Sequence, residues 1–109
     1  MVRSNADIEL SIRRTLAELS RHIEVRRAFL FGSYAQGTAD EDSDIDLAVF
    51  TPSVDHMTIE AKVGLIARVG MAVREPVELH LFSDRLLSRA TTAEFAGFIR
   101  QSGREIPVS

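Results

Sequence analysis

Apolar residues recur early in the chain at Ile8, Ile12, Leu16, Leu19 and Ile23, the three-to-four-residue spacing of one helix face. Ser4 with Asp7 three residues on has the form of a capping box, so residues 5–24 are expected to make an amphipathic packing helix. Arg27 to Phe31 is a short apolar run that stops at Gly32, a first strand leading into a tight turn. From Asp44 to Phe50 the chain alternates Asp, Ile, Asp, Leu and then turns apolar, which predicts a strand with a polar patch near its start, ended by Thr51-Pro52-Ser53. Ile59, Val63, Ile66, Gly70 and Val73 mark a second long helix, and Pro76 stops it and opens a third strand, Val77-Glu78-Leu79-His80-Leu81-Phe82. Thr91 and Glu94 repeat the capping-box pattern ahead of Phe95, Phe98 and Ile99, with Gly103 as the stop of a last helix of about ten residues. The expected fold class is α/β (α+β), a small mixed sheet flanked by helices.

Length changes this picture little: 109 residues suit one domain, 1–109, with one core and roughly two-thirds of the unfolded surface buried. Neither repeat nor linker is visible. A hydrophobic content of 45% with 27% charged residues is that of an ordinary soluble chain, and a net charge of −3 gives no general attraction for nucleic acid or anionic membrane. No direct nucleic-acid binding is expected, because Arg13, Arg14, Arg21, Arg26 and Arg27 read as a solvated face, although they could equally meet an acidic partner. The absence of cysteine excludes disulfides and thiolate metal sites. Residues 1–7 lack the apolar run of a signal peptide and no run approaches membrane-spanning length, so a cytoplasmic protein is the expectation.

The chemistry gathers between Phe31 and Phe50, where a Gly-Ser turn suited to phosphate precedes carboxylates suited to a divalent metal. Residues two apart on a strand share a face, so Asp44 and Asp46 are expected side by side while Ile45 and Leu47 face the core. At roughly 6 to 7 Å and an effective dielectric near 20, their repulsion is on the order of 2 kcal/mol, which proton uptake or a hard cation such as Mg²⁺ relieves. Asp40, Glu41 and Asp42, ahead of the alternation, read as a solvated acidic loop. Two other motifs fail on the residues present. An EF-hand loop from Asp42 needs Gly at Leu47 and Glu at Ser53, and one from Asp40 needs them at Ile45 and Thr51. A P-loop from Gly32 through Gly37 needs Lys where Thr38 stands.

What remains is Gly32-Ser33, ten residues, then Asp44-Ile45-Asp46. With the Gly-Ser-Tyr-Ala-x-Gly turn and the order of elements along nearly the whole chain, this closely resembles the minimal nucleotidyltransferases of the polymerase-β-like superfamily. The resemblance implies transfer of a nucleoside monophosphate, AMP from ATP or another NTP, to a hydroxyl with loss of pyrophosphate. It gives Gly32 and Ser33 the nucleotide phosphates, and Asp44 and Asp46 two Mg²⁺ ions. A third carboxylate is implied on a neighbouring strand, for which Glu78 is the best placed; it would complete the metal site and help take the acceptor proton. Glu78 stands where many members carry Asp, and Gln36 where many carry Arg. His80 shares a face with Glu78 and reads as a half-buried sheet histidine, contact with phosphate or metal-bound water being the alternative. His22 and His56 read as surface residues, and Tyr34 as a turn tyrosine packing on the domain rather than stacking on a base.

Larger relatives add a helical domain for the acceptor, and this chain shows none, so the acceptor is expected on a partner protein. Minimal members typically accompany a helical HEPN-type toxin, and the resemblance implies an antitoxin that transfers AMP onto a tyrosine of that toxin. Two alternatives stay open: a non-catalytic module that neutralises a partner by complex formation, and a plain metal-binding regulator. The oligomeric state, homo-oligomer included, is open as well.

Overall fold

A computed structural model describes residues 3–89 and 94–108. Helix α1 (Asn5–Leu19) starts as its cap predicts: Ser4 Oγ accepts from the Asp7 N–H at 3.2 Å, filling one of the N–H groups that a helix start leaves open. It ends five residues earlier than its apolar pattern suggested, and Ile23 packs on the core from beyond it. Strand β1 (Arg27–Phe31) leads into a single helical turn, α2 (Ser33–Gln36). Strand β2 (Ile45–Thr51) follows, then a 3-10 turn (Pro52–His56) and α3 (Ile59–Val73), whose N-cap Thr58 accepts from the Ala61 N–H. The chain continues through β3 (Val77–Ser83), α4 (Arg85–Arg89), α5 (Phe95–Ser102) and β4 (Arg104–Ile106).

The strands form one mixed sheet in the order β3-β2-β1-β4. β1 runs antiparallel to β2 and β4, whereas β2 and β3 are parallel, α3 supplying the crossover that parallel neighbours require. Two apolar layers result, where composition suggested one core. Ala28, Leu30, Ile45, Leu47, Val49, Leu79 and Leu81 pack under Ile8, Ile12, Leu16 and Leu19 of α1 and Leu65 and Val69 of α3. On the opposite face Phe29, Phe31, Ala48 and Phe50 pack against Ala96 and Ile99 of α5, joined by Phe82 and Leu87. A central strand covered on both faces reads as a continuous apolar run, and that is why β2 loses its alternation after Asp46.

Two helix faces differ from expectation. α3 buries Leu65 and Val69 and leaves Ile59 and Val63 exposed at 77% and 61%. α5 spans 8 residues and turns Ala96 and Ile99 inward, with Phe95 and Phe98 half out. Thr91 lies outside the described residues; Gly103 does follow the last helical residue. A Cβ there would stand 2.6 Å from the Ile99 carbonyl oxygen and 2.9 Å from that of Leu30, so glycine lets the chain turn from α5 into β4 against β1. The arginines of the expected solvated face are mostly paired with carboxylates: Arg14 with Glu75, Arg21 with Glu18, Arg26 with Glu24 and Asp84, Arg27 with Glu105. Among the described residues no helix is long and apolar enough to cross a membrane.

Candidate active site

β1 ends at Phe31, and the next residue, Gly32, adopts φ 74° and ψ −152°, a conformation closed to side-chain-bearing residues. The reason is visible in the neighbouring strand. A Cβ on Gly32 would lie 2.4 Å from Asp46 Oδ2, so the turn passes directly over the carboxylate. Gly37, at φ 76° and ψ 18°, closes the turn with open space around it. Between them Ser33 begins α2, and Tyr34 packs on the core while its hydroxyl accepts from Arg3 Nη1 at 2.9 Å. The same Arg3 nitrogen donates to the Ser43 carbonyl at 2.6 Å, which ties the turn to the acidic loop. In that loop Asp40 Oδ1 accepts from the Asp42 N–H and the Ser43 hydroxyl, so this aspartate shapes a turn at the surface.

Parallel pairing of β2 with β3 sets Asp46 opposite Glu78 and Ala48 opposite His80. Asp46, Glu78 and His80 therefore emerge on the α5 face of the sheet, at the edge of the aromatic layer. One ligand atom from each lies within 4.8 Å of the others. His80 Nε2 stands 3.5 Å from Asp46 Oδ1 and 3.8 Å from Glu78 Oε1, and the edge of the Phe31 ring, 5.0 Å away between centroids, backs the imidazole. At such a separation two ionised carboxylates repel by about 3 kcal/mol at an effective dielectric near 20, reduced toward about 1 kcal/mol by water at the exposed Glu78. A divalent cation removes that repulsion, and two carboxylates with an imidazole are a donor set that fits one.

The expected residues are thus distributed unevenly. Asp46, Glu78 and the Gly32-Ser33 turn converge. Asp44 lies one residue ahead of β2, exposed and outside the Asp46-Glu78-His80 group, because sheet pairing begins where the Ile45 N–H donates to the Pro76 carbonyl. It does share with Glu78 a cleft of about 490 Å³ along the outer end of β3, lined also by Ile66, Gly70 and Pro76. Gln36 is exposed on the turn, and His22 and His56 are at the surface as expected. His80, expected as a half-buried sheet histidine with contact to phosphate or metal-bound water as the alternative, is half-buried and stands beside both carboxylates. Its alternation with Glu78 was legible, but the strand register that brings it beside Asp46 was not.

A glycine turn laid over a strand carboxylate, with a second carboxylate on the parallel neighbour, can bring phosphate and divalent metal together. The chain belongs to the Polymerase beta, Nucleotidyltransferase family, whose pattern matches residues 14–102. Among solved structures it is similar to a chain of a toxin–antitoxin complex with AMP-PNP, at 28% identity over 89% of this chain and 70% of that one, with a TM-score of 0.59. A chain from a mutant of the toxin–antitoxin pair MntA–HpeT is 26% identical over 90% of this chain and 72% of its own, also at 0.59. A protein described as a minimal nucleotidyltransferase is 28% identical, covering 97% of this chain and 100% of its own, at 0.56. No curated protein matches by sequence.

Proposed function

We propose that this nucleotidyltransferase moves AMP from ATP to a tyrosine hydroxyl of a partner HEPN-type toxin, in a reaction that depends on divalent metal, and so acts as an antitoxin. The observation that carries the reading is the Gly32 turn held against Asp46, with Glu78 as its register partner. Support for the nucleotide and the partner comes from the similar complexes, one with AMP-PNP and both toxin–antitoxin pairs.

In this reading Gly32 lets the backbone approach the triphosphate, and the Ser33 hydroxyl with the N–H groups at the start of α2 donates to β- and γ-phosphate oxygens. Asp46 and Glu78, with Asp44 from the adjoining loop, would hold divalent metal, which when bound would supply charge neutralisation at the transferring phosphoryl group and a lower pKa for the acceptor hydroxyl. The acceptor oxygen forms its bond to the α-phosphorus as the bond to the β-phosphate bridging oxygen breaks. Pyrophosphate leaves, and Glu78, more exposed than Asp46, takes the acceptor proton. Co-expression with the cognate partner tests the assignment. An AMP-modified tyrosine on the partner, present with the native chain and absent with Asp44→Asn/Asp46→Asn, is expected; a partner neutralised without modification refutes it in favour of neutralisation by binding alone.

A further inference from the structure

The imidazole of His80 is placed unlike an ordinary sheet histidine. Its Nε2 is fully buried although the side chain as a whole is 30% exposed, and among the described residues it is the one buried side-chain nitrogen or oxygen atom without a hydrogen-bond partner. The atoms it faces, Asp46 Oδ1 at 3.5 Å and Glu78 Oε1 at 3.8 Å, lie beyond hydrogen-bond length. Ligand atoms held about 2.1 Å from one ion lie roughly 3 to 3.5 Å from each other, close to this spacing. The Phe31 and His80 rings meet in a T-shaped contact, 5.0 Å between centroids, which braces the imidazole from the strand β1 side.

We infer that His80 is a metal ligand in its own right and makes this site select a divalent transition metal, Mn²⁺ or a later ion, over Mg²⁺. Magnesium keeps to oxygen donors and binds imidazole poorly, whereas manganese, cobalt and zinc accept mixed nitrogen and oxygen sets. With His80 as ligand, its buried Nε2, Asp46 and Glu78 are satisfied together. The inference rests on the proposed use of Asp46 and Glu78 as metal ligands.

The test is binding of Mn²⁺ alone to the intact chain, read by pulsed electron paramagnetic resonance and by competition with Mg²⁺, beside His80→Val. A nitrogen coupling on the bound Mn²⁺ that disappears in His80→Val is expected. With it, the preference for Mn²⁺ over Mg²⁺ should fall about tenfold or more while Mg²⁺ affinity holds. Bound Mn²⁺ without nitrogen coupling, or an unchanged preference in the variant, overturns the inference and leaves nucleotidyl transfer with Mg²⁺ standing. Failure of the native chain to bind either ion, with and without ATP, overturns both readings. His22→Gln/His56→Gln, at the two surface histidines, should keep the coupling, so its assignment to His80 does not depend on the folding of His80→Val.

Discussion

Replacing Gly32 by alanine should uncouple the phosphate turn from the carboxylate beneath it, and Gly37→Ala is its internal control. At Gly32 an added methyl meets two obstacles: a backbone at φ 74° and ψ −152°, and Asp46 Oδ2 at 2.4 Å. Backbone strain of that kind costs about 1–3 kcal/mol. The overlap, about 1 Å inside ordinary contact, is relieved only if the turn lifts or Asp46 swings away from Glu78 and His80, so a total of about 3 kcal/mol is expected. For a chain of this size that is a fall in Tm of roughly 10 °C or more. Gly37 also has positive φ, 76°, but nothing lies within 4 Å of its Cβ position, so alanine there should cost only about 1 kcal/mol and leave the site alone. Urea denaturation with Mn²⁺ titration of both variants gives the comparison. Equal destabilisation by the two substitutions, with metal affinity unchanged in Gly32→Ala, would refute the claim that this turn and Asp46 form one unit.

The remaining expectations concern charge and chain direction. Asp46→Asn should stabilise the ion-free protein by about 1 kcal/mol, by ending the repulsion with Glu78, and should also abolish the stabilisation that added divalent ions give the native chain; thermal melts with and without Mn²⁺ read both effects. Glu75 accepts from Arg14 and Ser11 at 2.9 Å each, and the Arg14 guanidinium, then the Ser11 hydroxyl, hold its carboxyl below the usual carboxylate range. Its contribution is therefore present above the unfolded-state pKa and lost as pH falls through the lower folded value, so Glu75→Gln should cost about 1 kcal/mol at neutral pH and progressively less in acid, by denaturation at a series of pH values. Gly103→Ala, forced against the Ile99 and Leu30 carbonyls, should release β4 from β1 and expose the amides of residues 104–106 to hydrogen exchange while β2 and β3 stay protected.

Much of this arrangement was legible in the residues. The 3.6-residue spacing of Ile8, Ile12, Leu16 and Leu19 marks the buried face of α1, and Gly32-Ser33 with Asp44-x-Asp46 identifies the family because both motifs sit at strand ends. What stayed hidden is nonlocal. Strand β4 is three residues long with two of them charged, and it exists because β1 offers a free edge and Arg27 pairs with Glu105 across it at 2.7 Å. α3 is apolar around most of its circumference, so its pattern could not say that Leu65 and Val69 rather than Ile59 and Val63 turn inward. His80 joins the site through a parallel register with β2, which no alternation within β3 encodes. Asp44 obeys the alternation but precedes the first ladder hydrogen bond, so it is not fixed as Asp46 is.

The central claim, that the residues around Asp46 transfer a nucleoside monophosphate, is tested most directly with ATP labelled at the α- or the γ-phosphate. Each would be incubated with the native chain or Asp46→Asn, divalent metal and extract of the cells that make the protein. The account predicts α-label on a discrete macromolecule with the native chain alone, and no γ-label on it. Transfer of γ-label, or α-label of equal strength from Asp46→Asn, would contradict it.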